Sequence, residues 1–260
     1  MFFGFKYINK LPSMYEQRLL QRSLLEKIVG NQNNKLEFLI VGIGDGEELN
    51  YLISNQNTSK KINNIYCVDL LDAYFNPHLL PNINKILKKI VFLKENVLKI
   101  EKYFRNVKFD LIQCGFFMHE IEYKDKDRVL KLLNNLLKIK GFLICSDIDA
   151  DNIVRNDRVE DNKRKRNIST LYNTFIAEAK ECFKNKIMNQ EEFNLLCGNG
   201  SNNGLLFSKK RAINGLDDYY EPLKTLRNRI DRCGFTCEEI SKNSKNRSLF
   251  VICARKLGKQ

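Results

Sequence analysis

Five short, near-continuous apolar runs alternate with helix-like segments between residues 36 and 150, and this alternation restricts the fold more than any other property of the chain. The runs are KLEFLIVGI, NNIYCVDLL, IVFLKENVL, FDLIQCGFFMHEI and GFLICSDID. Strands that are apolar throughout, and not at every second position, are buried on both faces; joined through helices, they make a parallel sheet covered on both sides. The intervening GEELNYLISNQ, NINKILKKI and DRVLKLLNNLLKI carry the helical period. Ahead of them, residues 12–30 set Leu19, Leu20, Leu24, Leu25 and Ile28 at helical spacing, which predicts an N-terminal amphipathic helix.

The chain ends differently. YYEPLKTLRNRIDRCGF reads as a helix, and TCEEISKN and SLFVICARK read as strands joined by NSKNR, a connection too short for a parallel crossover. The expected architecture is therefore α/β: a doubly wound, mostly parallel seven-stranded sheet with an antiparallel C-terminal hairpin. Between Asp149 and the last helix the pattern loosens, with helical stretches at ISTLYNTFIAEAKECFKNKI and NQEEFNLL and a turn at GNGSNNG. An insertion near the carboxyl end of a strand is placed to close over a ligand. This divides one domain, 1–260, into the helix 12–30, a core 36–150, a helical lid insertion 151–215, and a C-terminal helix and hairpin 216–256.

Net charge is +13 and the pI about 9.3, which raises nucleic acid or an anionic membrane as a partner. The basic residues are spread along the chain, however, and the dense run NKRKRN at 162–167 directly follows Glu160 and Asp161, so a solvated surface is the favoured reading. Eight cysteines without paired CxxC spacing suit neither a zinc site nor a disulfide framework. Cys67, Cys114, Cys145 and Cys253 sit inside apolar runs, where a thiol acts as a small hydrophobe, and a reducing cytoplasm is expected. Cys233 and Cys237, in CGFTC, read as packing residues. The opening MFFGFKYINKL is too short for a signal-peptide core and no run reaches membrane-spanning length, so a soluble protein without a membrane partner is expected.

Between the first strand and the first helix of the core stand Gly42, Gly44 and Gly46. Glycines there let backbone approach a ligand and aim free N–H groups at it. The dinucleotide fingerprint GxGxxG would need a third glycine at Glu47, where a carboxylate would face a pyrophosphate. The spacing is instead GxGxG, and with Asp69 ending the second strand in YCVDLL the chain resembles the class I S-adenosylmethionine-dependent methyltransferases. That resemblance, over roughly residues 12–150 and 216–256, implies S-adenosyl-L-methionine as cofactor. It places the backbone of Gly42, Ile43, Gly44 and Gly46 at the ligand, Asp69 on the ribose hydroxyls, Leu70 beside the adenine, Asn96 at the adenine amine and Val97 on the ring. Gln113, with the residues to Phe117, emerges beside the reactive methyl, and Tyr15, like Tyr7, lies where the family's first helix often closes on the cofactor. Two positions depart from the family pattern: Asn96 stands where an Asp is usual, and Ile40 where an acidic residue usually precedes the first glycine.

The implied chemistry needs neither metal nor covalent intermediate. Where the acceptor must lose a proton, His119 in FMHEI is the candidate base, with Glu120 the second; the alternative is that His119 belongs to the scaffold. His78 sits in a proline-bounded loop and reads as structural or exposed; Tyr219 and Tyr220, like Tyr7 and Tyr15, read either as closing on the ligands or as packing. The nucleobase-amine motif N/D-P-P-Y is replaced by QCGF, and Cys114 lacks the proline context of an activated nucleophile. A methyltransferase acting on O or N of a small molecule is the first expectation, an rRNA or tRNA methyltransferase the second, and a non-methylating binding module or cyclase on the same fold the third.

Overall fold

A computed structural model describes residues 5–44, 46–70, 89–149, 161–197, 205, 206, 209 and 219–258. Strands β1 (Leu36–Val41), β2 (Ile62–Asp69), β3 (Ile90–Lys94), β4 (Phe109–Gly115), β5 (Leu137–Ile148), β6 (Phe235–Lys242) and β7 (Leu249–Lys256) form one seven-stranded sheet in the order β3-β2-β1-β4-β5-β7-β6. The first five run parallel, and β7 is antiparallel to both β5 and β6. This is the expected architecture. The order reverses between β1 and β4, which lie side by side with Val41 opposite Cys114. The chain leaves one strand leftward and the other rightward, which opens a crevice at their carboxyl ends.

Around the sheet lie α1 (Pro12–Gly30), α2 (Glu47–Ser54), the single turn α3 (Gln56–Ser59), α4 (Tyr123–Leu136), α5 (Asp161–Lys184), α6 (Gln190–Cys197) and α7 (Leu223–Arg232). Leu24, Leu25 and Ile28 of α1 and Leu49 and Leu52 of α2 pack on Phe38, Ile40, Leu111, Ile144 and Val251. On the opposite face, Val129 and Leu133 of α4 and Leu226 and Ile230 of α7 pack on Leu39, Ile112, Leu143 and Ile252. Successive strand residues thus enter different cores, which is why the runs are apolar throughout. A third core joins Leu171, Phe175 and Leu196 of α5 and α6 to Leu11, Met14, Ile148 and Leu249. The described part of the insertion is fastened to the start of the chain, with Ser13 Oγ donating to Glu178 at 2.7 Å and Lys10 paired to Glu192 at 2.6 Å.

Several boundaries move. DRVLKLLNNLLKI does not stay helical: α4 stops at Leu136 and Leu137 already belongs to β5, with Ile139 65% exposed. GEELNYLISNQ breaks at Asn55, whose side chain accepts from the N–H groups of Asn57 and Thr58 and caps α3. YYEPLKTLRNRIDRCGF becomes helical only after Pro222. Leu19 of α1 is exposed, whereas Ser13, Gln17 and Gln21 take the buried face beside Leu24, Leu25 and Ile28. The turn GNGSNNG, His78, most of NINKILKKI and the side chains of 162–167 lie outside the described residues. Among the described residues no helix is long and apolar enough to cross a membrane.

Candidate functional site

The crevice floor is the glycine turn. Gly42, Gly44 and Gly46 all have positive φ, at 71°, 53° and 79°, a conformation open to glycine at little cost. Their surroundings differ. A Cβ on Gly42 would meet the Phe117 ring at 2.9 Å, whereas one on Gly44 would meet nothing within 4 Å. Gly42 therefore serves the close approach of Phe117, and Gly44 faces open space. Gly46 is the N-cap of α2, and its carbonyl accepts from Asn50 at 2.8 Å. The Ile43 side chain is buried in the α1–α2 core, so only its backbone can face a ligand.

Beside the turn, β2 ends in Asp69, whose Oδ2 accepts from the Gly44 N–H at 3.3 Å. Leu70 follows, 59% exposed. Just past the end of β3, Asn96 Oδ1 accepts from the Leu98 N–H at 2.9 Å, capping the 3-10 turn Val97–Tyr103. The Lys102 ammonium and the Asn96 N–H hold the Glu95 carboxyl below its usual range. Val97 is buried with Ile100 in the core, so exposed apolar surface for a ring falls to Leu70 and not to Val97. Gln113 lies beside Ile40 in register and is fully buried; neither amide atom has a hydrogen-bond partner among the described residues. Tyr15 is 56% exposed on α1.

Beyond β4 the backbone turns sharply at Phe116, φ 50°, and a 3-10 turn, Met118–Glu120, follows. This turn brings Phe117 onto Gly42 and His119 against the end of β5. His119 Nδ1 lies 2.7 Å from Asp147 Oδ1, and the His119 N–H donates to Asp147 Oδ2 at 2.9 Å. The imidazole stacks on Tyr220, ring centres 5.0 Å apart and planes at 21°. Glu120 is exposed. Behind the stack, the ammonium of fully buried Lys126 donates to the Tyr219 carbonyl at 2.6 Å and lies 3.6 Å from Glu221. Burial pulls the Lys126 pKa down despite the opposing pull of Glu221 and Asp147.

The structure thus joins Gly44 to Asp69, with Leu70 following, sets Phe117 against Gly42 of the same turn, and holds His119, two residues on, to Asp147. Asp147, Lys126 and Phe117's contact with Gly42 were not legible as site features; the acidic strand end in CSDID was the available signal for Asp147, and Tyr220 was legible only as an ambiguous candidate. Cys114 is no nucleophile, because full burial, reinforced by Asp147, drives its thiol pKa far up. Among the described residues no group of three or more His, Cys, Asp or Glu is placed to hold a metal.

No protein-family model and no curated protein matches the sequence. Solved structures do match. The 1,6-didemethyltoxoflavin-N1-methyltransferase of Burkholderia thailandensis, solved with 1,6-didemethyltoxoflavin and S-adenosylhomocysteine, superposes with TM-score 0.57 at 14% identity, covering 94% of this chain and 79% of that one. The magnesium protoporphyrin IX methyltransferase of Synechocystis PCC 6803, with S-adenosylhomocysteine bound, gives TM-score 0.56 at 10% identity, covering 94% and 84%. The 4+2 cyclase SpnF gives 0.55 at 11% identity, covering 94% and 81%. At such identities the likeness shows the fold, and that fold is the one the strand–helix alternation and the family resemblance implied.

Proposed function

We propose that this chain, whose fold is that of the class I S-adenosylmethionine-dependent methyltransferases, is itself an enzyme of that kind, transferring a methyl group to O or N of a small molecule. One observation carries the reading: at the crevice where the strand order reverses, the Asp69 carboxylate and the Gly44 N–H lie side by side, with open space over Gly44. A carboxylate there can accept from two neighbouring hydroxyls, as a ribose presents them. That acceptor suits the cofactor's ribose end, and the exposed Leu70 suits a flat apolar ring. Asn96 retains acceptor capacity beyond its capping bond, so an adenine amine can share its carbonyl.

S-adenosyl-L-methionine, held by Asp69 and the glycine turn, would supply a methyl carbon already activated on sulfur, with a neutral thioether as its leaving group. The protein's task is alignment and exclusion of water. The insertion, fastened to the chain's start through Ser13–Glu178 and Lys10–Glu192, supplies a cover beside the crevice. His119 is the candidate proton acceptor, with Glu120 exposed on the same turn. All eight cysteines are free, which suits the reducing cytoplasm.

Two observations favour other readings. The +13 charge favours an RNA acceptor, for which binding would fall steeply with salt. The comparable superposition of a cyclase keeps a non-methylating cyclase or binding module on the same fold as a further reading. Titrating S-adenosylhomocysteine into wild type and Asp69→Ala tests the assignment: the variant is expected to bind at least about tenfold more weakly, the equivalent of one or two hydrogen bonds to a charged group. Equal affinities would remove Asp69 from the site.

A further inference from the structure

We propose that Asp147 is a positioning residue for His119: it fixes the imidazole as the Nδ1–H tautomer, leaving Nε2 as the basic nitrogen, and so suits the site to acceptors whose attacking O or N carries a proton that must be removed. The inference deepens the methyl-transfer reading and rests on it.

The grip is bidentate. Asp147 Oδ2 accepts from the His119 backbone N–H at 2.9 Å and Oδ1 lies 2.7 Å from Nδ1, while the Ile148 N–H donates to the same Oδ1 at 2.8 Å. An ionised carboxylate can only accept, so the hydrogen between Oδ1 and Nδ1 belongs to Nδ1. In the neutral ring the lone pair then sits on Nε2. Rotation is opposed from the face as well, because Tyr220 stacks on the ring.

Tyr220 is itself held through its neighbour. The Tyr219 N–H donates to the His119 carbonyl at 2.6 Å, and the Tyr219 carbonyl accepts from buried Lys126, also at 2.6 Å. The segment that returns from the insertion is thus held at both the N–H and the C=O of one residue, Tyr219. The side chain of Asp147 is 4% exposed and that of His119 13%. A histidine that merely filled space would not need a buried carboxylate, a stacked ring and a buried lysine arranged around it. In use, the acceptor's O–H or N–H bond breaks, its proton goes to Nε2, and its electron pair becomes the nucleophile. The imidazolium is balanced by the Asp147 carboxylate until the proton passes to solvent.

The chain has only two histidines, which makes the test direct. Long-range 1H–15N spectra of the protein without cofactor, recorded at about pH 8 where an ordinary imidazole is neutral, are assigned with the His78→Gln variant. His119 is expected to show a protonated Nδ1 and an unprotonated Nε2, and Asp147→Asn is expected to lose that pattern. A wild-type Nε2–H tautomer, or an averaged pair of signals, overturns the proposal, as does an unchanged pattern in a folded Asp147→Asn; the wild-type spectrum decides even if the variant does not fold. Because the tautomer is read without cofactor, its failure leaves the binding reading standing, and failure of cofactor binding leaves the tautomer standing.

Discussion

Glycines 42 and 44 share a left-handed backbone and differ in what stands beside them, so they respond differently to a methyl group. Gly44→Ala meets open space and is expected to cost about 1–2 kcal/mol in backbone strain. Gly42→Ala carries the same strain and must also move the Phe117 ring, which adds roughly 1–3 kcal/mol of overpacking. Urea unfolding of both variants checks the order, and equal losses would contradict the assigned contact. Lys126 makes a second residue-level prediction. Its pKa is lowered by burial, so near the ordinary value of 10.5 the unfolded chain holds the proton more tightly than the folded one. Stability from this group is therefore expected to rise with pH through the window from the lowered value up to 10.5, then level off. Urea midpoints of wild type relative to Lys126→Met, followed across that window, should diverge in favour of wild type. Parallel curves would mean the ammonium is not desolvated as described.

At the scale of elements, the sheet was legible and the buried face of the first helix was not. Each of the seven strands overlaps the segment expected for it, but the apolar run reports burial on both faces only inside the sheet: in the edge strand β3, Val91 and Phe92 are 46% and 39% exposed. Helix α1 hides Ser13, Gln17 and Gln21 because their partners are remote: the Gln17 amide donates to the Phe250 carbonyl at 2.6 Å, and Ser146 Oγ to Gln21 Oε1 at 3.4 Å. Polar residues at helical spacing look like a wet face until the strand opposite is known. Gln17→Ala is expected to destabilise by about 0.5–1.5 kcal/mol, the net worth of one buried hydrogen bond, where an exposed glutamine would cost almost nothing. Chemical denaturation distinguishes the two. The α4–β5 junction was missed for another reason. Leu136, Leu137 and Ile139 continue the helical period, and the helix stops where β4 offers a ladder to Leu137, opposite Phe109.

For the molecule as a whole, the site divides by sequence distance. The glycine turn, Asp69 and Leu70 were legible because a strand, a turn and a strand end recur in a fixed local order. His119 was legible only as a candidate: what holds it comes from the end of β5 and from the segment returning from the insertion, contacts that no local pattern contains. Topology makes those distant segments meet, since β1, β4 and β5 are adjacent and their carboxyl ends share one edge. Net charge acts at this scale too; an RNA acceptor would require affinity to fall linearly with the logarithm of salt concentration, by orders of magnitude between dilute and moderate salt. A small-molecule acceptor would show little of that slope. Both readings need the same first ligand at the glycine turn. Calorimetric titration of the intact chain with S-adenosylmethionine and S-adenosylhomocysteine, with NAD as control, therefore tests the central claim most directly. The account predicts saturable binding of both sulfur ligands, with dissociation constants on the order of micromolar, and none of NAD; absence of binding by either would contradict it and leave the glycine turn a feature of the fold alone.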